Sequence, residues 1–425
     1  MRGDSMSELE EWVRHGNELQ RPLLVNKELS QHEKIVVVGG GLSGMCAAYR
    51  MATHFPSKQI VLVEKSDRLG GVIQTWKQGE WVCDVAVNAA RAHPAVWRLM
   101  EDLGLSDEWK PSRSRAQSRW VWLDGSKHKL SLFSLLKIGP FKLRKALKES
   151  KSGSKPVSEV LPHIGIADAM TLGIVNDTAS NVDADFLIPS ATDFGPSSPV
   201  KRRKLAKLIA QTYPLFSPKK GSVASLSGGM TVLIDTLQTR LQSLENVEVL
   251  FKTSLNNPQA ASEHFNLPLS SIVWAAPGMV ERFEQTTLSV FAVGYREEDV
   301  AHVPFGYGLL IPDQTIPISG ILYESDLHAS SRAPEGHRLF RVMAPHSRGA
   351  FDIESVQTAV QRFMGPAQPV IIESIGVRQI PRFWPGHLQR MAEKELDCSY
   401  IGWSYSGVSI THVVDEVERL IERVS

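Results

Sequence analysis

Residues 33–76 read EKIVVVGGGLSGMCAAYRMATHFPSKQIVLVEKSDRLGGVIQTW. Lys34 to Val38 is a β-branched run with the length of a strand buried on both faces. Glycines follow at once: Gly39, Gly41 and Gly44 form G-x-G-x-x-G ahead of the helix formers Met45 to Ala52. This spacing predicts a tight turn at Gly39, a close backbone approach to a pyrophosphate at Gly41, and helix-to-strand packing at Gly44. Phosphates would then rest on the amides of the helix start, at Leu42 and Ser43. A second strand, Gln59 to Val63, ends on Glu64, 20 residues after Gly44. A carboxylate in that place holds ribose hydroxyls, so strand, turn, helix, strand and acid stand in the order of a dinucleotide site.

The continuation KSDRLGG narrows the ligand. Arg68, Gly70 and Gly71 follow Glu64 within seven residues, and a nicotinamide domain has no need of a second close approach there. The pattern points to FAD. A guanidinium at Arg68 can reach phosphates or the ribityl chain, and the two glycines let the backbone pass an extended cofactor. Lys65 and Val72 flank these positions. A domain of this kind draws its remaining pieces from distant segments. Gly402 and Gly407 in CSYIGWSYSGVSITHVVDEVERLIERV open a turn before a closing helix that begins around Val408, Ser409 and Ile410. Amides at that helix start would face the end of the flavin that becomes negative on reduction.

The fold class expected is α/β: a Rossmann-like FAD-binding domain assembled from residues 34–91, 222–285 and 376–425. Residues 92–221 read as a helical, membrane-associating and substrate region, and 286–375 as an α+β substrate-binding sheet. That sheet is suggested by the alternating runs LSVFAVGY, GYGLLIP, SGILYES and RLFRVMAP. Residues 1–33 read as a poorly ordered or loosely packed extension, unlike a secretory signal or an acid-poor presequence. At 425 residues the chain exceeds a single core. With 47 basic against 46 acidic residues it has no overall field to recruit nucleic acid. Three scattered cysteines make neither a disulfide framework nor a CxxC site, no His/Cys set suggests a metal, and no apolar run reaches a membrane span. One local stretch, KLSLFSLLKIGPFKLRKALK, mixes basic residues with Leu132, Phe133, Leu136 and Ile138, as either a segment lying on an anionic membrane surface or a solvated helix face with its apolar side in the core would. Lys142 and Lys145 would meet headgroups there.

Taken together, VVVGGGLSGMCAAY, EKSDRLGGVIQT, SLSGGM, GYGLLIP followed by GILYES, IPRFWPGH and IGWSYSGVSI resemble the flavin monoamine oxidase superfamily and, within it, the protoporphyrinogen oxidase family. The resemblance implies oxidation of protoporphyrinogen IX to protoporphyrin IX by hydride transfer to flavin N5, with dioxygen as acceptor. No catalytic acid or base is assigned. By position it implies a propionate-binding guanidinium at Arg119, a glycine of the substrate helix at Gly173, and macrocycle-contacting side chains at Tyr307, Leu310 and Met343. It further implies peripheral membrane association, at the mitochondrial inner membrane in a eukaryotic source, and leaves a homodimer open. Asp84 to Asn88, Ala344 to His346, and Thr411 with His412 depart from the family pattern. A flavin amine oxidase with another substrate, and a non-catalytic FAD or porphyrin binder, are the alternatives.

Overall fold

The computed structural model describes residues 7–130, 139–151, 153–161, 163–213, 223–349 and 352–425. Its first layer is a five-stranded parallel sheet in the order Val247–Leu250, Gln59–Val63, Lys34–Val38, Ile272–Trp274 and Ser399–Tyr400. Alternation along the first strand explains its burial on both faces. Ile35 and Val37 join the core under the helices Leu42–His54, Thr231–Gln242 and Ile410–Val424. Val36 and Val38 join a second core with Ala261, Trp274 and Tyr405. A parallel sheet covered on both sides needs this near-continuous apolar run.

The second layer is a seven-stranded sheet in the order Ile371–Pro381, Gln285–Arg296, His337–Pro345, Gly320–Leu322, Gly308–Leu310, Arg119–Leu123 and Ser126–Lys129. All its pairs are antiparallel except Gly308–Leu310 with Arg119–Leu123. The strand Ile371–Pro381 runs past residue 376 inside this second sheet. The last segment therefore enters the parallel sheet only at Ser399, later than the pattern of the sequence suggests. Helix Ile164–Val175 lies on one face of the second sheet, with Leu123 against Gly165 and Leu310 against Gly173.

The expectation of a loosely packed leader is corrected for the described residues from Ser7 onward. Glu8–His15 is a helix with a reciprocal Ser7/Glu10 capping box, and Trp12, Leu24 and Leu29 are buried. Tyr400 donates its N–H to the Leu24 carbonyl at 2.8 Å, so the segment also extends the edge of the parallel sheet. The physical reason lies in the closing helix, whose Asp415, Glu416, Glu418 and Arg419 are all buried and require partners. His15 sits between Asp415 (2.9 Å) and Glu422 (2.8 Å). Glu18 pairs with His412 at 2.6 Å, and Arg419 donates to the Arg21 carbonyl at 3.1 Å.

Burial alone would depress the His15 imidazole, but its hydrogen bonds to Asp415 and Glu422 outweigh that and raise its pKa to about 9. A raised folded-state pKa contributes stability below the unfolded value of 6.5 and loses it as pH rises through about 9. His15→Gln should therefore lower Tm at pH 6 and flatten the fall in Tm between about pH 7 and 9.5. Thermal melts across that range check it; parallel curves for the two proteins would contradict the assignment.

Candidate functional site

Each glycine of the first loop meets a different constraint. Gly39 has φ +112°, and a Cβ there would lie 2.9 Å from the Ala275 carbonyl carbon. At Gly44 a Cβ would lie 1.9 Å from the Gly39 oxygen, so this is where helix packs on strand. Gly40, which the motif does not single out, is closed in by Leu69 and Glu64. Gly41 differs: a Cβ there would meet no protein atom within 4 Å. Gly41 caps the helix Leu42–His54, so the N–H groups of Leu42 and Ser43 belong to the open first turn. A cradle that is tight everywhere except at the position of phosphate approach fits a dinucleotide.

Glu64 has a second task that its place in the sequence does not reveal. Its Oε2 accepts from Gly40 N at 2.7 Å, and its Oε1 accepts from Ser66 N and Oγ at 2.9 and 2.8 Å. It fixes the loop and keeps lone pairs for a ribose. Arg68 is exposed and turns back on its own loop, donating to the carbonyls of Leu69 at 3.1 Å and Gly71 at 2.5 Å. Lys65 is exposed. Gly70 N donates to Gly40 O at 2.7 Å, which zips the two glycine turns together. A Cβ at Gly71 would lie 3.2 Å from the Gly41 Cα, and Val72 packs on the adjoining core.

The C-terminal piece arrives beside them. A Cβ at Gly402 would lie 2.9 Å from Ser43 Oγ. Ser409 caps the closing helix, its hydroxyl accepting from His412 N, and Ile410 is the first helical residue. Val408 borders the core that also holds Met343. Glu416, which no motif in the sequence singles out, is fully buried and accepts from Gly402 N at 2.7 Å and from Ser406 Oγ. Burial pushes its pKa up to about 7. Thr411 Oγ1 donates to Arg91 O at 3.5 Å, which ties this turn to the loop 85–91. Each of these two loops carries a sealed polar atom with no partner among the described residues, Asn88 Nδ2 and Ser404 Oγ. Such orphans suit a site built for a polar ligand.

The departures from the family pattern acquire local reasons. Asp84 accepts from Thr75 Oγ1 at 2.6 Å and Met230 N at 2.7 Å, anchoring the Gly228–Gly229 turn. His412 is taken up by Glu18, and burial holds its pKa down to about 4, so the neutral ring donates from Nδ1. His346 pairs with Ser289 at the end of its strand.

Of the five residues that the resemblance assigns to a substrate, Arg119, Leu310 and Met343 share one face of the second sheet, with Gly173 of the helix against Leu310 and Tyr307 under the Arg119 guanidinium. Cross-strand register aligns Val121, Leu310, Gly320, Met343, Val290 and Gly376 in a single row. Gly173 stands 3.4 Å from the Leu310 methyls, measured from its Cβ position, and Gly320 stands 3.0 Å from Met343 Cε. The Arg119 guanidinium stacks 4.3 Å from the Tyr307 ring centroid, its position held by the Gly308 pairing. Arg119 and Gly173 are exposed, while Tyr307, Leu310 and Met343 are partly so, which leaves apolar side chains and a cation reachable from solvent.

Residues 37–103 match the NAD(P)-binding Rossmann-like domain. Together with the two-sheet architecture, this defines a flavin amine-oxidase-like α/β fold, and the combination indicates FAD as the dinucleotide. Among solved structures, wild-type putrescine oxidase bound to putrescine superposes with a TM-score of 0.58 at 12% identity, covering 91% of this chain and 98% of that one. Among curated proteins, protoporphyrinogen oxidase of Homo sapiens is 22% identical over 90% of this chain and 96% of its own length. Coproporphyrinogen III oxidase of Bacillus subtilis (strain 168) is 21% identical over 90% and 96%.

Gly41→Val and Gly44→Ala should separate ligand space from packing. The first should fold and melt near the apoprotein but lose the yellow colour. The second forces the backbone apart and should lower stability by about 1–3 kcal/mol or more. Flavin absorbance and thermal melts of the two variants check this; full flavin content in Gly41→Val would contradict it.

Proposed function

We propose that this chain is an FAD-dependent porphyrinogen oxidase using dioxygen as acceptor. The observation that carries the reading is the sheet face that sets Leu310 and Met343 near Arg119 and its stacked Tyr307, tied to the loop after Asp84 by Arg341, which donates to the Asp84 and Ala86 carbonyls. FAD, when bound, supplies the hydride acceptor. The chain's own work is binding and orientation. Leu310, Met343 and the exposed side of helix Ile164–Val175 offer apolar surface to a flat macrocycle, with Ile174 39% exposed. Arg119 offers a planar, permanently charged donor to a propionate at the edge. The amides of the first turn after Ser409 would stand against the flavin end that gains charge. The curated relatives named for porphyrinogen oxidation span most of the chain and support the same reading.

Anaerobic mixing with a porphyrinogen should bleach the flavin, and air should restore it. Slow or absent bleaching with tight binding would favour a non-catalytic binder. Arg119→Ala should raise the porphyrinogen KM by about 10- to 100-fold, the worth of one charge-assisted contact, while flavin content stays unchanged. Unaltered kinetics would return Arg119 to an ordinary surface role.

Membrane contact is part of the proposal. Among the described residues no helix is long and apolar enough to cross a bilayer. Leu132, Phe133, Leu136 and Ile138 lie outside the described residues, but the adjoining helix Pro140–Ser150 shows Phe141 82% exposed beside exposed Lys142, Arg144 and Lys148. An exposed aromatic among basic residues suits an anionic interface, with each basic side chain worth about 1 kcal/mol near the surface. Co-sedimentation with anionic liposomes should fall with added salt and fall further in Lys142→Glu/Lys148→Glu. Indifference to liposomes at low salt would remove this part of the proposal.

A further inference from the structure

The strand Ile371–Pro381 carries an arginine that nothing described above employs. Arg378 lies opposite Leu288, and Leu288 lies opposite Pro345. Residues directly opposite in an antiparallel sheet share a face, so this row is the neighbour of the Met343–Val290–Gly376 row on the substrate-facing side. On its other flank, Thr286 pairs with Ile380, and the Thr286 hydroxyl donates to Val175 O at the end of helix Ile164–Val175. On the near flank, the Gly376 Cβ position lies 2.7 Å from Val85, in the loop that runs to Asn88. Arg378 is thus framed by the substrate helix on one side and the cofactor loop on the other.

Its charge is unanswered. The Nε is sealed from solvent without a hydrogen-bond partner, and no carboxylate among the described residues pairs with the guanidinium. The neighbouring charge is another cation, Arg341, which is committed to Glu324 at 3.0 Å and to the carbonyls of Asp84 and Ala86. Desolvation first and Arg341 second push the Arg378 pKa down to about 9, so the group remains charged at neutral pH. The other interior arginines of this sheet contrast with it: Arg338 is paired with Asp326 and Arg341 with Glu324. Arg378 is partly exposed, and with its Nε shut off from water and no counter-charge beside it, the guanidinium is best satisfied by a ligand that supplies one.

Arg119 and Arg378 occupy the same face at opposite sides of the Met343 row. Their strands are sixth and first in the sheet order, about 24 Å apart at ordinary strand spacing, with two long side chains available to narrow the gap. A ligand meeting both must carry carboxylates at opposite edges of an apolar disc. We propose that Arg378 is a second carboxylate-binding residue of the pocket, so that the chain prefers a tetrapyrrole with carboxylates all round its rim, as in coproporphyrinogen, over one whose carboxylates sit at a single edge, as in protoporphyrinogen. The proposal rests on the porphyrinogen reading given above and specifies its substrate class.

The test measures equilibrium binding of coproporphyrin III and protoporphyrin IX to the FAD-loaded protein by fluorescence, for wild type, Arg378→Met and Arg378→Lys. Wild type should bind coproporphyrin more tightly. Arg378→Met should weaken coproporphyrin binding by about 10- to 100-fold and leave protoporphyrin binding within about twofold, with flavin content and Tm retained. Arg378→Lys should restore part of the loss. An equal loss for both porphyrins, a loss of flavin, or no change overturns the proposal while the porphyrinogen reading stands. A wild-type protein that binds neither porphyrin overturns that reading and this proposal with it.

Discussion

The closing helix Ile410–Val424 buries its charged face, and much of the molecule is arranged to make that tolerable. His412, Asp415, Glu416, Glu418 and Arg419 are all withdrawn from solvent. An unpaired interior charge costs several kcal/mol. Their partners come from four separate parts of the chain: His15, Glu18 and Arg21 of the N-terminal segment, Arg50 of the first Rossmann helix, Arg98 of the helix Pro94–Asp102, and the Gly402–Ser406 turn. The helix is therefore less a lid on the sheet than a hub. Its first turn is held in place at the point where the loop 85–91 and the Gly402–Ser409 turn converge, which is where a flavin would need fixed amides.

The second sheet solves a different problem. It sets Leu310 and Met343, both partly exposed, in one row with the buried Val290, and glycines at 320, 376 and 173 let Met343, Val85 and Leu310 approach the backbone closely. Around this row the charges are distributed unevenly. Arg338 and Arg341 are neutralised inside the protein, whereas Arg119 stacks on Tyr307 and Arg378 is unpaired among the described residues. The same sheet thus separates structural cations from cations available to a ligand.

The N-terminal segment also accounts for a feature that looks anomalous in one dimension. His412 departs from the family pattern near the expected flavin, and taken alone it suggests a damaged site. In three dimensions it faces Glu18, and Arg21 reaches the Ser406 carbonyl at 2.6 Å and lies over the Phe186 ring. His412 and the N-terminal segment form one unit that clasps the closing helix to the region around Phe186.

What was legible in the sequence was everything enforced by short-range sterics. Gly39, Gly41 and Gly44 announce a strand, a turn and a helix because backbone contacts under 3 Å at Gly39 and Gly44 exclude any side chain, and those contacts recur wherever this turn is built. Glu64, the glycine pairs and the period-two strands follow from equally local rules, and Arg119, Tyr307, Leu310 and Met343 were placed by resemblance. Only the tertiary structure could decide the rest. An amphipathic helix with a charged face looks solvated in sequence, and the ordered packing of residues 7–33 depends on His15 finding Asp415 across 400 positions. Nothing in the sequence marks Arg378 until the sheet register sets it on the face that carries Met343, in the adjoining row, and leaves its Nε sealed without a partner among the described residues. The physical reason is that pairing and desolvation are properties of a neighbourhood, and here those neighbourhoods are assembled from residues that the chain brings together only by folding.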